Sequence, residues 1–91
     1  MFRADFAKSF YKDCRKLDRE FLDLLLTKIV PKILENPSIG DRFKGRNLRH
    51  LSKFAVRFKR TDYRLVYQVL KQEVVILFIA VGSRENFYKK I

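Results

Sequence analysis

The apolar positions of this chain change period halfway along it. Phe6, Phe10, Cys14 and Leu17 fall at steps of four and three, with Lys8, Lys12, Arg15 and Lys16 between them. That spacing predicts an amphipathic helix with a basic outer face. Asp18 is read as the N-cap of a second helix, on which Phe21, Leu22, Leu25, Leu26, Ile29, Ile33 and Leu34 form a broad apolar stripe. The turn between them is short, so the helices pair as an antiparallel hairpin. Pro31 lies inside the second helix, where it removes a backbone hydrogen bond and clashes with the preceding turn. A kink near Val30, or a break there, is expected. Asn36-Pro37 ends the helix, and Phe2 to Phe6 carries a weak signal for a short edge strand.

Residues Ser38 to Lys53 contain two glycines and several cations and read as a connecting loop with room for a brief strand. After it the period becomes two. Phe54, Val56 and Phe58 alternate with Ala55, Arg57 and Lys59, the pattern of a half-buried strand. Tyr63 to Leu70 is the next strand, Lys71-Gln72 a tight turn, and Val74 to Val81, apolar on both faces, the most buried strand. Gly82 ends it, and Glu85 to Ile91 form a tail with room for a helical turn. The expected fold is α+β: a short N-terminal strand, a helical hairpin, then an antiparallel sheet of three to four strands.

Register decides what the strands display, because a one-residue slip sends every side chain to the opposite face. A four-residue loop pairs Phe58 with Tyr63, Val56 with Leu65 and Arg57 with Arg64, keeping apolar residues on one side and arginines on the other. A three-residue loop sets charge against the core. The four-residue loop is therefore expected, with two arginines directly opposite each other. Like charges so placed destabilise a sheet unless an anion sits between them. Arg84 follows the neighbouring strand and Tyr88 the next few residues. Together they suggest a site for a phosphodiester, against the alternative of guanidinium groups simply splayed into water.

Composition sharpens this reading. The chain has 91 residues, room for one small domain spanning residues 1–91, and 47% are hydrophobic, too many for a disordered protein. Its net charge of +11 favours a polyanionic partner over a generically basic surface. Cys14 is the one cysteine, so neither an intramolecular disulfide nor a zinc knuckle can form, and it reads as a small buried side chain. The apolar run Val74 to Val81 is too short to span a bilayer as a helix. A soluble, cytoplasmic protein is expected, with no membrane association, no metal and no cofactor.

The segment Tyr63 to Tyr88, YRLVYQVLKQEVVILFIAVGSRENFY, resembles the C-terminal half of the RelE/ParE toxin superfamily, most closely its RelE-type mRNA interferases. The carrying motifs are R-F-x(4)-Y-R-L-V-Y from Arg57 to Tyr67, the strand ending I-A-V-G, and G-x-R-x-x-x-Y from Gly82 to Tyr88. F-K-G at Phe43 to Gly45 and L-S-K-F at Leu51 to Phe54 also resemble the family. The likeness covers most of the chain and is most specific over about its last 40 residues.

The resemblance implies a ribonuclease that enters the ribosomal A site and cuts mRNA without a metal, using the RNA's own 2′-hydroxyl as nucleophile. By position, Arg57 and Arg64 would bind the scissile phosphate. Arg84 would join the anion cradle or serve the leaving 5′-oxygen, and Tyr88 would stack on a base or assist proton transfer. Lys44, Arg46, Lys53, Lys59, Arg60 and Lys89 are the expected RNA-binding cations. Some members carry a basic residue where this chain has Ala55, which leaves the general base open among His50, Lys59 and Tyr88. Tyr63 and Tyr67 fall on the apolar face and are expected in the core.

The alternatives are a ParE-like toxin that poisons DNA gyrase by protein contact, and a basic RNA-binding domain without catalysis. Both toxin readings imply a cognate antitoxin whose acidic, partly disordered segment wraps this basic domain.

Overall fold

A helix that carries a proline in its interior sets the scaffold, as seen in the computed structural model, which describes residues 1–45 and 50–83. Strand β1 (Arg3–Phe6) leads into α1 (Lys8–Cys14), and Asp18 precedes α2 (Arg19–Leu24) at the N-cap position, without a side-chain capping bond. Pro31 neither breaks nor ends the second helix. A π-helical turn (Leu25–Ile29) intervenes before α3 (Val30–Glu35), whose first turn holds the proline. Wider turns change which carbonyls need a donor, and Pro31 falls where a missing N–H is tolerated. The helix thus stays continuous, and Leu25, Ile29, Val30 and Ile33 all reach the core.

A 3₁₀ turn (Pro37–Ile39) leads to β2 (Asp41–Arg42), the brief strand allowed for within the loop, followed by β3 (Ser52–Phe58), β4 (Thr61–Leu70) and β5 (Val75–Ser83). They form a five-stranded sheet in the order β1-β5-β4-β3-β2. Strands β2 to β5 are antiparallel, and β1 joins β5 in parallel. The helices cover one face. Phe21 stacks on Tyr63 with ring centroids 3.9 Å apart, and Tyr67 is fully buried, so both tyrosines are core residues as expected. Cys14 is half-buried; burial and then the neighbouring Asp13 raise its thiol pKa, which keeps it unreactive. Among the described residues no helix is long and apolar enough to cross a membrane.

The hairpin register differs from the expectation. Phe58 pairs with Thr61, Val56 with Tyr63 and Phe54 with Leu65, so the β3–β4 loop is Lys59-Arg60 alone. Arg57 consequently faces Asp62, and Arg64 faces Ala55. Shifting by two residues leaves every side chain on the same face, so alternation cannot separate a two-residue loop from a four-residue one. The shorter loop places both central residues at positive φ, 46° for Lys59 and 69° for Arg60. Such turns match the twist of the flanking strands. They also replace an arginine pair with an opposite-charge pair and add ladder rungs.

Two backbone positions are under visible constraint. Val74 closes the β4–β5 loop at φ 55°, with its N–H donating to the Lys71 carbonyl at 3.2 Å. A β-branched residue is disfavoured there by about 1–2 kcal/mol. Val74→Asn is therefore expected to raise the unfolding free energy by roughly 1 kcal/mol in urea melts; a loss of stability would show that its exposed side chain matters more than its backbone. Gly40 lies against Tyr67, whose hydroxyl donates to the Pro37 carbonyl at 2.7 Å. A Cβ on Gly40 would collide with that hydroxyl and stand 2.8 Å from the Lys53 carbonyl. Gly40→Ala should cost about 1–3 kcal/mol, and less when combined with Tyr67→Phe, which removes the obstructing oxygen. Purely additive costs in the double-mutant cycle would count against this contact.

Candidate phosphodiester site

The sheet face away from the helices carries Lys53, Ala55 and Arg57 on β3, Asp62, Arg64 and Val66 on β4, and Ala80 and Gly82 on β5. Arg64 sits at its centre, with Ala55 opposite it across one ladder and Gly82 across the other. Small side chains on both flanks leave room beside the guanidinium; a Cβ built on Gly82 meets nothing within 4 Å. Lys53 and Arg57 are the two diagonal neighbours on β3, with Cβ atoms about 7–8 Å away in such a geometry. Next to Arg64, Val66 is buried and supplies an apolar floor.

A β-bulge makes this arrangement. Tyr67 pairs with Phe78 but Val66 pairs with Ala80, so Ile79 is the extra residue on β5. Without it Val81 would face Arg64 and fill the space. With it Val81 turns into the core opposite Leu65, and Gly82 takes the place beside the arginine.

The polar environment of Arg64 is incomplete. Its Nε is buried and has no hydrogen-bond partner among the described residues. A buried donor left unpaired costs about 1–3 kcal/mol, so such a group is conspicuous in a native structure. Arg57 is engaged: one Nη lies 3.4 Å from Asp62 Oδ1, with the two side chains 68% and 42% exposed. A long, exposed pair of this kind contributes little, and an incoming anion can displace it.

The remaining expected residues divide by location. Lys53 lies on the site face, its Nζ 5.2 Å from the centre of the Phe43 ring. Lys44 is exposed in the loop after β2, and Arg60 in the β3–β4 turn. Lys59 turns toward the helices and meets Glu20 at 2.8 Å. The hydrogen bond to Glu20 raises its pKa, which holds the ammonium protonated and argues against its acting as a base. His50 lines a small cleft with Arg42, Ser52, Gln68, Val69 and Lys71 at the other end of the sheet. Ser52, two residues further on, is still three residues, roughly 10 Å, short of Ala55. Arg46, Arg84, Tyr88 and Lys89 lie outside the described residues. Three residues were not anticipated as part of the site: Asp62, which the expected register placed in the loop, and the small flanks Ala55 and Gly82. Among the described residues no three His, Cys, Asp or Glu side chains gather as a metal-ligand set.

The family described as the ParE-like toxin of type II bacterial toxin-antitoxin systems matches residues 6–91. The chain is 35% identical over 83 residues to the mRNA interferase toxin RelE of Escherichia coli K12, covering 90% of this chain and 82% of that protein. The crystal structure of isolated E. coli RelE superposes with a TM-score of 0.71 at 30% identity, covering 99% of this chain and 94% of that one. The toxin in the intact E. coli RelBE toxin-antitoxin complex gives 0.70 at 33% identity, covering 90% and 95%. Over nearly its whole length, then, this is a member of the ParE-like toxins of type II bacterial toxin-antitoxin systems, of the RelE type.

Proposed function

We propose that this toxin is an endoribonuclease that cleaves mRNA by attack of the RNA's 2′-hydroxyl on the adjacent phosphorus, with Arg64 as the central phosphate ligand. One observation carries the reading: a half-buried arginine whose Nε–H has no partner among the described residues, flanked by two small residues and by further cations on the sheet face away from the helices. In this reaction the 2′-oxygen bonds to phosphorus, the bond to the 5′-oxygen breaks, and a cyclic phosphate and a free 5′-hydroxyl result. The nucleophile and electrophile already belong to one molecule, so the protein must align them and stabilise the extra negative charge of the pentacoordinate phosphorus. Arg64 supplies fixed N–H donors to the phosphoryl oxygens. Arg57 can exchange its contact with Asp62 for a second phosphoryl oxygen, while Lys53, Lys44 and Arg60 hold the flanking backbone.

Arg84 and Tyr88 are proposed to complete the cradle and serve the leaving oxygen, and Arg46 and Lys89 to extend the RNA track. The relative named an mRNA interferase supports this substrate class. Action in the ribosomal A site, and an antitoxin with an acidic, partly disordered segment, are proposed on the same footing; the RelBE complex supports the antitoxin. A gyrase inhibitor acting by protein contact has no need of a buried arginine Nε–H left without a partner among the described residues between two small residues.

Induction in cells with primer extension on a translated message tests the assignment. Arg64→Ala is expected to lower turnover by about 10²–10³, the scale of losing one oxyanion donor, with little change in folding stability. Gyrase-linked DNA breaks beside intact mRNA would refute the ribonuclease reading, and unfolding of the variant would make Arg64 structural. Asp62→Asn frees Arg57 from its carboxylate and should strengthen RNA binding a few-fold at low salt, in filter-binding titrations. Weaker binding would mean that Asp62 positions Arg57 for the phosphate rather than competing with it.

A further inference from the structure

The last five residues of β5, Ile79 to Ser83, have no strand on their outer edge among the described residues, because β1 pairs with β5 only from Val75 to Phe78. The segment leading into and through α1 takes over that edge. The Ala7 N–H donates to the Phe78 carbonyl at 2.9 Å. The Ser9 hydroxyl donates to the carbonyl of Ile79, the bulge residue. Asp13 Oδ2 accepts from the Val81 N–H at 3.0 Å. Ser9 and Asp13 are one helical turn apart, so a single face of α1 presents both groups to the strand. Asp13 is 7% exposed, and a carboxylate buried to that degree is costly unless hydrogen-bonded or paired. An acid placed there among core residues has a definite task.

We propose that Ser9 and Asp13 form a clamp on the bulged end of β5, and that Asp13 is a positioning residue for phosphodiester cleavage. A bulge leaves backbone groups out of the ladder and lets the strand bend. Here the clamp binds the displaced Ile79 carbonyl and the next outward N–H, that of Val81. It thereby fixes the register that sets Gly82 opposite Arg64. Gly82 has no side chain with which to fix its own position. Asp13 lies on the helix side of the sheet and Arg57 and Arg64 on the other, so it acts through β5 and does not touch the phosphate they hold.

The catalytic arm of this inference rests on the ribonuclease reading; the structural arm does not. Amide hydrogen exchange at Val81, Gly82 and Ser83 is measured beside single-turnover cleavage of mRNA on programmed ribosomes, RNA affinity and melting temperature in wild type, Asp13→Ala, Asp13→Asn and Ser9→Ala. Asp13→Ala should raise exchange at these amides about tenfold, the scale of losing one buried hydrogen bond, and lower turnover at saturating RNA with affinity unchanged. Asp13→Asn retains an acceptor oxygen and should restore both, and Ser9→Ala should show a smaller loss of each. Wild-type exchange and turnover in a folded Asp13→Ala protein would overturn the proposal. Should that variant not fold, wild-type exchange in Ser9→Ala would overturn it instead. Raised exchange with no cleavage by the wild type would leave the clamp standing and refute the ribonuclease reading.

Discussion

The register among β3, β4 and β5 governs everything else on the site face. A positive-φ turn at Lys59-Arg60 and a bulge at Ile79 together decide which residues stand beside Arg64. Neither lies next to it in sequence. Move the turn by two residues and Arg57 faces Arg64; remove the bulge and Val81 blocks it. The turn puts two L-residues in the left-handed region, at about 1–2 kcal/mol each before compensation. In return it forms the ladder rungs of Arg57 with Asp62 and Phe58 with Thr61, and the site gains a small residue on each flank. Local backbone strain away from the chemistry thus gives the arginine its open surroundings.

What was legible in the sequence follows from where a period was visible. The three-four spacing of Phe6, Phe10, Cys14 and Leu17 and the alternation from Phe54 to Phe58 each have one dry and one wet side, so they fixed elements and faces. The arginines on β3 and β4 share a face for that reason, with a loop of two residues or of four alike. Loop length itself was beyond the same argument, since registers two residues apart have identical faces. Lys59-Arg60 also lacks the Asn-Gly or Asp-Gly chemistry that marks a two-residue turn, and Arg60-Thr61-Asp62 resembles a turn more. The bulge was invisible because Val74 to Val81 is apolar on both sides, and an inserted residue breaks no alternation there. Asp13 did leave a trace: it lies three residues after Phe10, on the buried stripe of α1. Pro31 gave a kink or a break near Val30 as the two expectations; the helix does not break there, and the π turn that precedes the proline has no sequence signature of its own.

The electrostatics of the fold point in the same direction as the geometry. A net charge of +11 on 91 residues repels itself, yet the described carboxylates are spent sparingly on the site face. Glu20 goes to Lys59 on the helix side, and Asp13 goes to a backbone N–H. On the site face Asp62 reaches Arg57 only at long range, and Arg64 keeps a buried donor unpaired. A sequence selected for stability alone would place a glutamate or threonine at Ala55, within reach of Arg64. A methyl group there leaves Arg64 without a carboxylate across the ladder, so a polyanion can supply the counter-charge. On the proposed function the same deficit would serve an acidic antitoxin segment, because neutralising that face would lower the repulsion within the toxin and cover the proposed RNA site in one event. Binding and inhibition are then a single electrostatic exchange, and both should weaken together as salt screens it.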